Sequence, residues 1–351
     1  VSKRKSASHN GFDQQIRLLD LARELGVSPT TISRALRGKQ GMSESTRDRI
    51  KKAARAFGYV PNKAGASLST GRVFSIGYLL LKNEQGQQGQ LQNEVMRGMV
   101  DELALFGYSL TVFSEDYFRV EKGAIFDAAQ KVRVDALAVT IEHNEPVKPP
   151  SSPLPFPLAV INRRLDAIDA SFVLADEERG GQLATSHLIE LGHRKIACIG
   201  GPLDHAALAL RQEGYAGALV SAGIGFDPSL VEHAPEISWR GGYAACEALF
   251  RRHDDVTAIF CGSDILAFGV LKCLEAKGLS VPGDVAVGSF DDSLFADITD
   301  PALTSVRKLR QAMGREAARL LLARLNGDTV PSEVILPVEL IVRKSSGVAI
   351  S

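Results

Sequence analysis

From Phe74 onward the chain alternates short apolar runs with amphipathic segments, and that alternation leaves few folds open. SIGYLLL, YSLTVF, ALAVTI, PLAVI, KIACIG, AIFCG and VAVGSF each have the length and composition of a buried strand. Between them, segments around 96–106, 124–132, 181–191, 210–222, 241–251 and 265–277 carry helical periodicity. Strands that are apolar throughout and separated by helices predict parallel sheets covered on both faces. A proline-rich break at Glu145–Pro157 divides the series into two. Two similar lobes are expected, with a cleft between them of the kind that takes a small ligand. The expected body spans 73–346, with lobe 1 at about 73–161 and 295–325 and lobe 2 at about 162–294 and 326–346; 347–351 is a tail.

At 351 residues and 45% hydrophobic content, the chain has room for two or three domains. Its formal net charge of zero hides a division. Residues 1–72 carry 15 Lys and Arg against 5 Asp and Glu, and the remainder carries 26 against 36. A basic head on an acidic body predicts that the head meets a polyanion. No apolar run approaches the roughly 18 residues of a membrane span. VSKRKSASHNGFDQQ has no apolar stretch behind its basic residues, so 1–16 is read as a mobile basic tail, and a cytoplasmic location is expected. Cys198, Cys246, Cys261 and Cys273 lack CxxC spacing and lie in apolar runs, which predicts buried free thiols. His187 and His193 are wrongly spaced for a helical metal pair; neither metal nor cofactor is expected.

Within the head, Leu18, Leu21, Ala22 and Leu25 form a helical stripe that stops at Gly26, where a positive φ costs little. Val27 plugs the corner, Ser28 is placed to cap the next helix, and Pro29 suits its first position. Ile32, Ala35 and Leu36 then face inward, with Thr30, Ser33, Arg34 and Arg37 outward. A third helix starts at the hydroxyl-rich Ser43 and runs through Ile50, Ala53, Ala54 and Phe57 to Gly58. Three helices with a tight glycine turn predict a helix-turn-helix unit at 17–61.

LARELGVSPTTISRALRG, MSESTR and GYVPN are followed in order by GHRKIACIGGP, RQEGYAGAL, AIFCGSDILAFGVL, VPGDVAVGSFDD and PALTSVR. This series resembles the LacI/GalR family of bacterial transcription regulators from Leu18 to Ser346. The resemblance implies an α/β chain. Its head is a three-helix helix-turn-helix DNA-binding domain with a hinge helix, and its body is periplasmic-binding-protein-like, with two doubly wound parallel-sheet lobes. It further implies that the helix from Pro29 lies in the major groove of double-stranded operator DNA. Pro29, Thr30, Thr31 and Arg34 would meet bases, Arg34 through a bidentate guanine contact. Ser28, Ser33, Tyr59 and Asn62 would meet phosphates. The hinge and linker fall at 62–72, with Leu68 as a minor-groove wedge. Gly65 weakens that short helix, so the hinge is expected to fold only when two copies pair over DNA. The Gln-rich loop KNEQGQQGQLQNE also departs from the family pattern. The implied function is a sequence-specific regulator, a repressor first, acting as a homodimer on a palindromic site. It would be controlled by a small-molecule effector, a sugar ahead of a purine or other metabolite.

For the effector, Arg211 and Asp264 lead. A guanidinium donating to hydroxyl or ring oxygens and a carboxylate accepting vicinal hydroxyls suit a sugar. Asn162 stands at a corresponding strand end, and Arg163, His205 and Trp239 follow as weaker candidates. Asp291 and Asp292 are read as shaping the crossover between lobes. Rival classes fare worse. No GxGxxG follows the first strand, and no GxxxxGK[ST], GxSxG or HExxH occurs, so an enzyme is not expected. A transport-type sugar-binding protein would suit the body but not the basic head. KSSGVAIS carries no leucine heptads, so no tetramer-forming element is expected.

Overall fold

The computed structural model describes residues 18–36, 42–57, 71–81, 89–114, 124–141 and 147–347. Two compact units divide the chain between Val73 and Phe74.

The head holds helices Leu18–Leu25, Pro29–Leu36 and Glu44–Ala56. Leu21, Ala22, Ile32, Ala35, Ile50 and Ala54 are buried together, with Leu25, Val27, Met42 and Ala53 packed against them. The glycine turn forms as its sequence predicts. Gly26 adopts φ 64°, its N–H donates to Arg23 O at 3.3 Å, and the Val27 N–H donates to Ala22 O at 3.1 Å. That pair of bonds is a Schellman cap, which satisfies carbonyls the helix leaves open. Arg49 donates to the carbonyl of Leu25 at 3.1 Å, placing a cation at the negative end of the first helix. Phe57 is 42% exposed. It lies one residue past the helix end at Ala56, where helical spacing no longer fixes its direction.

Among the described residues the body contains two six-stranded sheets. Strands β1 Ser75–Leu80, β2 Ser109–Ser114, β3 Ala136–Thr140, β4 Leu158–Ile161, β5 Ser171–Ala175 and β11 Glu333–Leu336 form the first. Their order is β11-β5-β4-β3-β1-β2, and every pairing is parallel. Strands β6 Ile196–Gly200, β7 Val231–His233, β8 Ala258–Cys261, β9 Ala286–Asp291, β10 Thr304–Lys308 and β12 Val338–Ile341 form the second. Their order is β12-β10-β9-β8-β6-β7, and only β12 runs antiparallel to its neighbour. The all-apolar runs become β1, β3, β4, β6 and β8, and the long helices between them are Gly89–Leu105, Glu177–Glu190, Ala206–Ser221, Trp239–Phe250, Asp264–Ala276 and Arg310–Asn326.

The chain passes between the sheets three times: after β5, after β10 and between β11 and β12. The expected lobe limits need correction on this point. Asn162 does not begin the second lobe, because SFVLA pairs with β4 as another buried parallel strand of the first sheet. Likewise 304–308 belongs to the second sheet and 333–336 to the first. Each of these strands is short and was placed by its partners rather than by its own periodicity. Among the described residues no helix is long and apolar enough to cross a membrane.

Candidate functional sites

In the head, the Ser28 hydroxyl accepts the Thr31 N–H at 3.0 Å and lies 2.8 Å from the Thr31 hydroxyl. Pro29 takes the first helical position, where its missing N–H leaves no bond unmade. Ser43 repeats the device on the next helix, accepting the Thr46 N–H at 3.3 Å with the two hydroxyls 2.7 Å apart. Thr30 is exposed, whereas Pro29 and Thr31 are half-buried, so Thr30 offers the freer hydroxyl. Ser33 and Arg34 lie on this helix, but their side chains fall outside the described residues, as do Tyr59, Asn62, Gly65, Leu68 and residues 82–88; the rest of the expected Gln-rich loop, 89–94, is instead the start of the Gly89–Leu105 helix.

In the body, the crossovers gather charged side chains into one network between the sheets. Its centre is Glu177, the first residue of its helix, which accepts Arg211 Nε at 2.7 Å and Lys308 Nζ at 2.8 Å. Burial alone would raise this carboxyl, but the two cations and their hydrogen bonds overcome it and hold it at about 2. Lys308 also donates to Asn162 Oδ1 at 3.2 Å, which ties the second sheet to the end of β4. Arg211 is fixed on every side. Its Nη1 donates to Gly262 O at 2.5 Å, its Nη2 lies 3.5 Å from Asp291 Oδ1, and its guanidinium stacks 3.7 Å above the Phe290 ring. Arg310 donates to Asp291 O at 2.9 Å.

A close helix contact brings Arg211 there. Gly181 and Gly214 face each other, and a Cβ on either would run into backbone of the opposite helix, including the carbonyl of Arg211 itself. Glu177, Arg211, Lys308 and Arg310 are all buried, while the Asp291 side chain keeps 23% of its surface open.

Asp264 follows the end of β8, as its place in the sequence implies. It is buried at the start of its helix and accepts Ser305 Oγ at 2.6 Å and Ser293 N–H at 2.7 Å. Burial, and then the neighbouring charge of Asp291, push its carboxyl up to about 6. The structure therefore pairs Arg211 with Glu177 and Asp291, and Asp264 buttresses the turn behind them. Asn162 joins the network with φ 77°, and Arg163 follows it half-buried. His205 caps the Ala206–Ser221 helix, its Nδ1 accepting the Leu208 N–H at 3.3 Å. Burial and the Arg211 charge lower its pKa to about 4, so the ring is neutral at pH 7. Trp239 opens its helix half-exposed, with the Arg240 guanidinium 4.6 Å from its ring.

Sequence reasoning missed Glu177, Phe290, Lys308 and Arg310, and it gave Asp291 only a shaping role. Lys308 at the end of β10, Arg211 within its helix and Arg310 at the start of another are all buried, and such groups are rarely buried unpaired. His187 bonds to Ser346 Oγ at 2.9 Å and His193 to Thr257 Oγ1 at 3.0 Å. Among the described residues no group of three metal-ligating side chains occurs, and all four cysteines are buried and free.

Comparison with known proteins adds the following. A family profile described as "Bacterial regulatory proteins, lacI family" matches residues 17–62, and one described as "Periplasmic binding protein-like domain" matches 185–346. The HTH-type transcriptional regulator CelR of Thermobifida fusca is 34% identical over 325 residues, 91% of this chain and 95% of its own length. The HTH-type transcriptional regulator AglR of Rhizobium meliloti (strain 1021) is 31% identical over 342 residues, 95% of each chain. A solved transcriptional regulator CelR–cellobiose complex superposes with TM-score 0.66 at 31% identity, covering 94% of this chain and 99% of that one.

Proposed function

We propose a mechanism for a chain that belongs to the LacI family of bacterial regulatory proteins. As a member it is a helix-turn-helix transcriptional regulator and not an enzyme. Our reading is that two copies bind a palindromic operator in the cytoplasm as a repressor, and that a sugar bound in the body controls this.

The helix from Pro29 reads the major groove. Pro29 and Thr30 touch base edges, Arg34 takes a guanine, and Thr31, held by Ser28, helps fix the helix start against phosphate. Ser28, Ser33, Tyr59 and Asn62 set register on the backbone, and Leu68 wedges into the minor groove. In the body, Arg211 donates to sugar oxygens and the half-open Asp291 accepts hydroxyls. Asn162 and Arg163 act from the first sheet, Trp239 stacks at the rim, and neutral His205 serves as a further donor or acceptor. Asp264 supports Asp291 from behind.

The observation that carries this reading is the conjunction of Arg211, Asp291 and the Phe290 ring between the two sheets. The Phe290 ring backs the guanidinium, and guanidinium and carboxylate together recognise a polyhydroxylated ring. The neighbouring CelR–cellobiose complex supports a sugar as the ligand class. Ligand alters DNA affinity only so far as it binds the two lobe arrangements unequally.

The test has two parts. Full-length protein is used to select duplexes from a random pool, and an inverted repeat is expected to emerge. Thermal shift against a panel of mono- and disaccharides, cellobiose included, is expected to find a stabilising sugar whose effect Asp291→Asn abolishes. Selection of no repeat, or no stabilising sugar, overturns the corresponding half.

A further inference from the structure

Asp291 and Asp292 are consecutive non-glycine residues with φ of 114° and 47°. Side chains other than glycine adopt this region only where their surroundings impose it. Here four arginines from four parts of the body do so. Arg211, on its helix, and Arg310, at the start of the Arg310–Asn326 helix, address Asp291. Arg307, on β10, and Arg343, just past β12, address Asp292.

The two grips are unequal. The Asp292 carboxylate accepts Arg307 Nε at 2.6 Å and lies 2.8 Å from Arg343 Nη1, and its N–H donates to Ser305 Oγ at 2.9 Å. The Asp291 carboxylate stands 3.5 Å from Arg211 and 3.9 Å from Arg310, a loose seat between two buried guanidinium groups. Ser293, the next residue, is pinned by its N–H to Asp264 Oδ2 at 2.7 Å. Past this elbow the chain turns into an exposed apolar ridge. Leu294, Phe295 and Ile298 are 65%, 59% and 74% exposed, and the Phe295 ring meets that of Phe268 edge-on at 6.4 Å.

We propose that the Asp291–Asp292 elbow is a strained two-state link. It carries the condition of the Glu177–Arg211 network to the apolar ridge and to the segment just past β12 at Arg343. Asp291 is the side able to move, since its two arginines stand 3.5 and 3.9 Å from its carboxylate. When it moves, the two positive-φ residues relax together, and the ridge they lead into shifts with them. Coupling of this kind needs an element with two arrangements that both ends bias, and it must be reciprocal. The link is a property of the body alone, so its test involves neither DNA nor sugar and stands apart from the functional reading above.

The experiment is hydrogen–deuterium exchange, read by mass spectrometry, on full-length wild type, Arg343→Gln and Asp291→Asn. Releasing Asp292 in Arg343→Gln is expected to speed exchange about fivefold or more at 177–181 and 206–215, on the far side of the elbow. Asp291→Asn is expected to speed exchange by a similar factor at 293–300. Strand β3, in the first sheet, is expected to stay unchanged in both. Acceleration confined to 292–303 and 338–347 in Arg343→Gln would overturn the proposal, as would equal acceleration of β3, which marks general loosening. Should Arg343→Gln fail to fold, Arg307→Gln breaks the other Asp292 pair and is read against the same two outcomes.

Discussion

The head and the body solve the problem of holding a functional group in place by opposite means. In the head, the start of the Pro29–Leu36 helix is set within four residues, by Ser28 on Thr31 and Pro29 between them, over a core with six buried side chains among the described residues. In the body, Arg211 is set by partners 34, 51 and 80 residues away in sequence, two of them charged. Local caps yield a surface helix whose outward residues are free to vary without loss of fold. A buried ion network yields a group that is immobile until something replaces one of its partners. The first arrangement suits reading a surface, and the second suits responding to a ligand.

Substitutions that act on one unit alone sharpen this comparison, and effects that spread to both would break it. Trp239 is the single tryptophan, so its fluorescence follows the body. Amide resonances of Ile32 and Ala35 follow the head. The largest effect is expected from Glu177→Gln, which leaves buried Arg211 and Lys308 without their shared carboxylate. Urea unfolding read at Trp239 should lose about 3–5 kcal/mol, with the head resonances unmoved.

Next comes the pH dependence of the body. Asp264 holds its proton up to about 6 in the folded state, against 3.8 for an ordinary aspartate. Stability therefore falls as pH rises from about 4 to 6, by on the order of 3 kcal/mol, and then levels. Glu177 has the opposite sign, contributing stability above pH 4.5 that is lost as pH falls toward 2. Urea titrations at several pH values should show the decline between 4 and 6 in wild type and its disappearance in Asp264→Asn.

Gly214→Ala forces a Cβ into the backbone of the facing helix. The expected loss is about 1–3 kcal/mol in the body's unfolding midpoint, again without change in the head. Ser28→Ala is the smallest, costing the head about 1 kcal/mol by removing one cap, visible as earlier melting of Ile32 and Ala35 while Trp239 unfolds as before.

Much of this architecture was legible in the order of residues. The Gly26 turn, the Ser28 and Ser43 caps and the burial of Ile32 and Ala35 depend on neighbours within a turn of helix, and they follow from spacing. The parallel strands were legible because residues buried on both faces write an unbroken apolar run, as in LAVI and AIFC. What escaped were the strands that their partners define. SFVLA and EVIL complete the first sheet only because β4 and β5 offer free edges, and the lobe limits shifted with them.

The candidate site divides the same way. Arg211 could be named from its sequence context, but its partners Glu177 and Asp291 could not. Coulomb attraction depends on separation in space, and chain position does not report separation once three crossovers have folded the two sheets together. Helix ends, turns and buried strand runs were thus settled by the sequence, through contacts a few residues long. Which charges meet, and which carboxylate is left half-open between two arginines, was decided only by the tertiary structure, because burial makes an unpaired charge so unfavourable that the fold must bring partners from anywhere along the chain.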